Sequence, residues 1–455
     1  MRYRSTRGSA PELGFDDTLL AGLASDGGLY VPNAWPRIEP LPDVDSGYAA
    51  VAASVIRPFV GDGVVAGALD ELCSDAYGSF RHPDVAPIRK VSDNRHLLEL
   101  FWGPTLSFKD YALQLVGRMF DTVLEARSRR ILVLGATSGD TGSAAIAALA
   151  GLPSVDVVIL YPDDRVSEVQ RRQMTTVSND NVRAVAVAGT FDDCQDLVKA
   201  AFSTQEHRDG FNLAAVNSIN WARVMCQAVY YVWTTGHVGP ASVAVPTGNF
   251  GNVLAADVAR RMGAPIRQII AANNANHGIA DIIDTGRLRL EGVIPTLAPA
   301  MDIQVASNFE RYIYEMWDRD PTRVVSELMS MRETGSLVLD ELTLSRMREH
   351  FSASWSNDGE IETTIARVHG ETGLTIDPHT ATGWVAADRH CRADLACVAV
   401  ATAHPAKFPD AVAAATGVVP LLPEDLADLM VRPERTWRID ADLDDLIDLL
   451  TEVTT

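Results

Sequence analysis

Three loops and one lysine are the residues of this chain best placed to do chemistry. Residues 135–142 read GATSGDTG, residues 246–252 read PTGNFGN, and residues 402–408 read TAHPAKF. Each follows an apolar run and precedes a helical stretch. In the first two, glycines let the backbone come close to a ligand, and free N–H groups at a helix start face an anion. Such a loop can equally do no more than turn a strand into a helix, but two in one chain favour an anion site. Neither contains the GK[ST] of a Walker A loop or the spacing of GxGxxG, so a dinucleotide site is weakly supported. Lys109 lies in GPTLSFKDY, residues 103–111, at the start of an amphipathic helix just past a Pro-ended turn. A lysine is ordinarily a solvated surface residue. At a helix N-terminus, however, the macrodipole disfavours its charge, and an amine held neutral can attack a carbonyl.

The elements that must position these residues are legible as periodic runs. Residues 1–80 read as turns and helical stretches, with a Gly-rich turn at 26–28 leading into a short strand at 29–32. Residues 97–102 form a short apolar run, and 109–127 carry helical periodicity through Leu113, Val116, Met119, Phe120 and Val123. Strands are expected at 131–134, 155–160, 182–187, 242–245 and 268–272, and helices at 142–150, 167–175, 192–203, 222–233 and 252–262. Strands alternating with helices imply a mainly parallel sheet with helices on both faces. Such sheets bind ligands at the carboxyl ends of their strands. Beyond 310 the pattern is mixed, with helices expected at 339–351, 359–369 and 440–452.

Composition narrows the classes. A length of 455 residues suggests two or three domains, at about 150 residues each. There are 39 Lys plus Arg against 60 Asp plus Glu, a formal net charge of −21. That argues against nucleic acid or an anionic membrane as the main partner, since both are polyanions; a local basic pocket for one phosphate stays possible. The five cysteines form no CxxC pair, so neither a disulfide scaffold nor a zinc ribbon is expected and a reducing compartment fits better. The first ten residues carry Arg2, Arg4 and Arg7 without an apolar stretch, unlike a secretory signal. The longest apolar run, 144–152, is too short to span a bilayer. The expectation is a soluble cytoplasmic protein.

The run LFWGPTLSFKD, residues 100–110, resembles the lysine motif of the threonine synthase family, a branch of the fold-type-II pyridoxal-phosphate enzymes. The likeness continues through YRSTRG (3–8), LAGLASDGGLYVP (20–32), the two Gly loops, RVSEVQRRQMT (165–175), NSINWARV (217–224), MDIQVASNFER (301–311), DPHTATG (377–383) and ATAHPAKF (401–408). It implies a tryptophan synthase β-like α/β fold, with parallel-rich sheets flanked by helices. An N-terminal helical domain is expected over 1–90, cofactor-binding α/β domains over 91–330, and a C-terminal region over 331–455 that completes the core. Pyridoxal 5′-phosphate is the implied cofactor, with Lys109 as its Schiff-base residue. Thr247, Gly248, Asn249, Phe250, Gly251 and Asn252 would hold its phosphate, and Thr402 would face its pyridine nitrogen. The implied reaction converts O-phospho-L-homoserine and water into L-threonine and phosphate, a small-molecule conversion with no metal. Thr105, Thr137, Ser138, Asp140 and Thr141 would lie around the substrate. For the substrate phosphate the candidates are Arg223 with Asn220 and Arg311 with Ser307 and Asn308; Lys407 is a weaker one. Each arginine can also be a structural ion pair, Asn220 a helix cap, and His404 a hydrogen-bonded support of the third loop. A monomer or homodimer is expected.

The sequence departs from the family pattern at four places. Trp102 stands where His is common, Ser107 where Ala is common, His277 replaces an acid, and Asp163-Asp164 replaces a pair that is commonly basic or contains glycine. These leave open a paralogue, a pyridoxal-phosphate lyase or replacement enzyme acting on another γ-substituted amino acid. A non-catalytic relative is disfavoured by the presence of Lys109, both Gly loops and Thr402.

Overall fold

A computed structural model describes residues 1–163, 166–215 and 218–454, with the side chains of 209 and 454 left aside. Asp164, Arg165 and Asn217, which belong to the motifs above, lie outside the described residues. Two sheets organise the chain. The larger runs Phe351–Trp355, Ile266–Asn273, Ala241–Pro246, Ala396–Ala401, Arg95–Glu99, Ile88–Lys90. It is parallel throughout except at the last pair. The smaller runs Trp437–Asp440, Val182–Ala188, Val155–Pro162, Ile131–Ala136, Leu213–Ala214, and is parallel throughout.

Side-chain alternation along the strands gives each sheet two buried faces. Val243, Val245, Ile269 and Ala271 enter the main core, while Ala244, Ile270 and Ala272 pack on the far side with Ile361, Ile365 and Trp384. In the smaller sheet Val133, Val157 and Ile159 face the main core, and Leu132, Leu134, Val158 and Leu160 face Cys194, Leu446 and Leu450. Almost wholly apolar strands such as Val155–Pro162, buried at every residue and charged only at Asp156, follow from that double coverage.

Helices Tyr48–Val60 and Val64–Tyr77 of the N-terminal region join Lys109–Ala126 and Trp221–Val238 in the main core. Lys109–Ala126 lies so close to Asp140–Leu149 that a Cβ at Gly117 would stand 2.6 Å from the Ala148 carbonyl oxygen. This close approach ties the lysine helix to the helix behind the first Gly loop.

Three features depart from the sequence reading. Tyr3–Ser5 is a strand, paired antiparallel with Tyr30–Pro32; three residues are too few to show a period. The helix expected at 339–351 is only Glu341–Arg348, and Phe351–Trp355 is an edge strand of the larger sheet. Cys391 and Cys397 form a disulfide across the turn from helix Pro378–His390 to strand Ala396–Ala401, while Cys73, Cys194 and Cys226 are free and buried. Among the described residues no helix is long and apolar enough to cross a membrane.

Candidate active site

Lys109 begins its helix directly after a tightly folded segment. The Thr105 amide and hydroxyl both donate to the Asp110 carboxylate, at 2.8 and 2.7 Å. A Cβ at Gly103 would stand 2.4 Å from the Asp110 Cβ, so the glycine of GPT is required by that approach. Leu106, at φ +62°, turns the chain between them. The third loop clamps this segment from the other side: the Phe108 amide donates to the Thr402 carbonyl at 2.8 Å, and the His404 amide to the Leu106 carbonyl at 3.0 Å. Thr402 therefore follows strand Ala396–Ala401 directly into contact with the residue preceding Lys109.

The Lys109 amine is buried, 3.3 Å from Asp140 Oδ2 and 4.7 Å from the Phe108 ring centre. Burial lowers its pKa; Asp140 opposes that shift, and the charges of Lys407 and Arg223 add to it. Asp140 is the first residue of helix Asp140–Leu149, at the end of the first Gly loop. Its other oxygen accepts from Lys407 Nζ and from Gln170 Nε2, each at 2.8 Å. Burial alone would raise the Asp140 carboxyl, yet Lys407 and then Lys109 hold it well below the carboxylate range.

Within the first loop, Thr137 accepts from the amides of Gly139 and Gly142 at 3.0 and 2.9 Å. Ser138 is exposed and Thr141 half-buried. The second loop differs. Phe250 takes a left-handed conformation, φ +62°, to start helix Gly251–Met262, and a Cβ at Gly248 would lie 2.8 Å from the Ala300 carbonyl oxygen. Among the described residues the amides of Gly248, Asn249 and Phe250 donate to no backbone carbonyl. Thr247 Oγ1 and Asn252 Nδ2 are buried without a hydrogen-bond partner among the described residues. On helix Trp221–Val238, Gln227 Oε1 and two guanidinium nitrogens of Arg223, Nε and Nη1, are likewise buried and unpartnered among the described residues. Gln227 Oε1 lies 3.9 Å from where a Gly251 Cβ would stand, which brings this helix face to the loop. Burial pushes the Arg223 guanidinium down to about 10. Unsatisfied buried donors, and a buried cation without a counter-ion among the described residues, are costly; bound phosphate groups would relieve them.

The other phosphate candidates are engaged elsewhere. Arg311 donates to the carbonyls of Tyr30 and Ile219 and to Asn308 Oδ1. Asn308 ties the carbonyls of Ser218 and Asn249 together, and so supports the second loop from behind. Asn220 caps helix Trp221–Val238, accepting from the Ala222 amide and donating to the Leu19 carbonyl. Ser307 is exposed. His404 is the support that the sequence allowed: its Nδ1 accepts from the Ala406 amide.

Gln170, Gln227 and His379 were not singled out from sequence. Gln170 and His379 lie inside family-like motifs, and Gln227 is one turn beyond Arg223, where an i, i+4 reading would have found it. His379 Nδ1 bonds Asp377 at 2.7 Å and its Nε2 accepts from the Ala300 amide, holding the segment against Gly248. Trp102 donates from its indole to Glu99 at 3.0 Å and packs on Phe101 and His82. His277 stacks on Trp355 and stands 3.0 Å from the Asp281 carboxylate.

Comparison with known proteins agrees over the whole length. Residues 2–77 match the family described as threonine synthase N terminus, 97–331 the pyridoxal-phosphate dependent enzymes, and 380–449 the threonine synthase C-terminal family. The chain is 46% identical to the threonine synthase of Pseudomonas aeruginosa, over 96% of its own length and 95% of that protein. Among solved structures, the pyridoxal-phosphate-bound threonine synthase of Brucella melitensis superposes with TM-score 0.97 at 45% identity, covering 100% of this chain and 99% of that one. The yeast threonine synthase superposes at TM-score 0.94 and 34% identity, covering 100% and 98%.

Proposed function

The chain belongs to the threonine synthase family of pyridoxal-phosphate-dependent enzymes, and from that premise we propose how its residues divide the conversion of O-phospho-L-homoserine and water into L-threonine and phosphate. The unsatisfied donors of the second loop fit the cofactor's phosphate, which the amides of Gly248 to Gly251, Thr247 Oγ1 and Asn252 Nδ2 would hold. Lys109 would anchor the cofactor, with Thr402 at the pyridine nitrogen. When bound, that cofactor supplies an electron sink for carbanions at Cα and Cβ.

The amine of Lys109, whose pKa burial lowers, takes the Cα proton and acts again at Cβ as a base within reach of both. Arg223 receives the dianionic phosphate of the substrate, because its donors are open where those of Arg311 are engaged. After cleavage at Cγ it keeps the departing phosphate close to the water that attacks Cβ. Thr105 and Thr137 build the walls, while Ser138 and Thr141 remain free to meet the substrate carboxylate. The single observation that carries this reading is a buried Arg223, with two nitrogens unpartnered among the described residues, one turn from the Gln227 that meets the open second loop and within electrostatic reach of the buried Lys109 amine. Nothing in the surroundings of Trp102 or His277 favours another γ-substituted substrate. We place the protein in the cytoplasm as a monomer or homodimer, with neither nucleic acid nor membrane as partner.

The test is product analysis by NMR in deuterated water with the cofactor-loaded protein. Threonine deuterated at Cα and Cγ, with free phosphate, is the expected result. Phosphate with 2-oxobutyrate alone would make the protein a lyase. Lys109→Ala is expected to abolish turnover.

A further inference from the structure

A single carboxylate stands between two buried ammonium groups, and its contacts with them are unequal. Asp140 Oδ1 lies 2.8 Å from Lys407 Nζ, whereas Oδ2 lies 3.3 Å from Lys109 Nζ. Lys407 is wholly buried and its ammonium also donates to the Thr105 carbonyl at 2.8 Å. It ends the short turn Pro405–Lys407, whose start is capped by His404, so backbone and side-chain bonds both fix its place. One carboxylate neutralises one ammonium, and the shorter contact and the second anchor assign Asp140 to Lys407.

We propose that Lys407 is a positioning residue that acts through Asp140: as the carboxylate's standing counter-ion, it prevents Asp140 from holding Lys109 as a full ion pair and leaves that amine free to give up its proton. The inference rests on the reading of Lys109 as the reactive amine. The electrostatics run the same way. Burial disfavours the Lys109 ammonium, Asp140 favours it, and Lys407 and Arg223 disfavour it. The other titratable groups facing the cluster are hydrogen-bonded outside it. Asp110, next to Lys109, is hydrogen-bonded by Thr105, and its carboxylate acts on Lys407, while the charges that act most on the Lys109 ammonium are those of Asp140, Lys407 and Arg223. His379, facing Asp140, is bonded to Asp377 and the Ala300 amide, and His404 accepts from Ala406. Gln170, the remaining partner of Asp140, carries no charge.

The role predicts shifts of opposite sign that cancel. With Lys407→Met, Lys109 is the one ammonium left in contact with Asp140 among the described residues, so the Lys109 ammonium is stabilised. With Asp140→Asn the amine loses the counter-ion it has among the described residues and is deprotonated more readily. With both changes the two effects offset. The measurement is competitive acetylation of the full-length, cofactor-free protein across pH, with the labelling of Lys109 read by peptide mass spectrometry. At pH 7 the labelling rate is expected to fall about tenfold in Lys407→Met, rise about tenfold in Asp140→Asn, and return to within about threefold of wild type in the double variant, a tenfold change corresponding to one pKa unit. Lys407→Arg, which keeps the charge, is expected to follow wild type. Circular dichroism checks folding; where Lys407→Met does not fold, Lys407→Gln in the same comparison takes its place. A Lys109 profile unmoved by loss of Lys407, or moved in the same direction by both single changes, overturns the proposal. Failure of the parent reading looks different: Lys109→Ala protein would still bind pyridoxal phosphate with the visible absorbance band of the wild type.

Discussion

The two Gly loops share a local grammar: an apolar parallel strand, a small-residue turn and a helix start. Their hydrogen bonding differs. In the first, Thr137 closes on the amides of Gly139 and Gly142, and Asp140 is gripped by Lys407, Gln170 and Lys109. In the second, the amides of Gly248 to Phe250 have no backbone acceptor among the described residues, and Thr247, Asn252 and the facing Arg223 and Gln227 hold buried polar atoms without partners. The first loop is a finished piece of structure that presents one tuned carboxylate. The second leaves donors open at Thr247, Asn252 and Arg223, as a seat for an anion would under the proposed function. A seat for phosphate is thus recognised less by its glycines than by donors that the fold does not satisfy.

That difference predicts substitutions with opposite consequences. The largest effect is expected from Gly248→Val, whose side chain meets the Ala300 carbonyl and Met301 backbone and closes the open loop. Cofactor retention is expected to drop by about 100-fold or more, the loss of two or more charge-assisted bonds, as read by equilibrium dialysis with pyridoxal phosphate. Next, Arg223→Met removes an unpaired buried charge. It is expected to lower kcat/KM for O-phospho-L-homoserine by about 30- to 1000-fold, while the cofactor-free protein gains about 1–4 kcal/mol in denaturant unfolding. Unchanged stability would mean that Arg223 has an unseen counter-ion in the free protein. In the closed loop the sign reverses. Thr137→Val leaves the Gly139 and Gly142 amides without their acceptor, at a cost of about 1–3 kcal/mol in the same unfolding measurement.

The smallest effect concerns the third loop. Burial lowers the pKa of His404 from 6.5 to about 4. Above pH 6.5 His404 is neutral in both folded and unfolded chains and contributes no slope; as pH falls from 6.5 towards 4 the unfolded chain binds the extra proton and stability declines. His404→Asn, which keeps an acceptor for Ala406, is expected to flatten that part of the thermal-midpoint profile.

Much of this was legible before any coordinates. The strand, loop and helix order, both Gly loops, Lys109 at the head of its helix and the amphipathic run behind it are written in local residue types and in periods of two and 3.6. The family-like motifs added the cofactor and the reaction. What failed were short or overlapping signals. Strand Tyr3–Ser5 has too few residues for a period. The run at 339–351 blended a helix with the first residue of an edge strand. Cys391 and Cys397 pair because a helix end meets a strand start, a matter of path and not of spacing.

The chain's local chemistry therefore determined which elements form and which residue types stand at their ends, because backbone preference and side-chain periodicity act over a few neighbours. Only the tertiary structure decided which of those residues are open to a ligand. Arg223 and Arg311 look equivalent in sequence, yet among the described residues one is buried without a partner for two of its nitrogens and the other is bound to two carbonyls and an amide. Asp140 and Lys407 are 267 residues apart and meet at 2.8 Å. The satisfaction of a donor depends on what the folded chain brings to it from afar, and no local pattern encodes that.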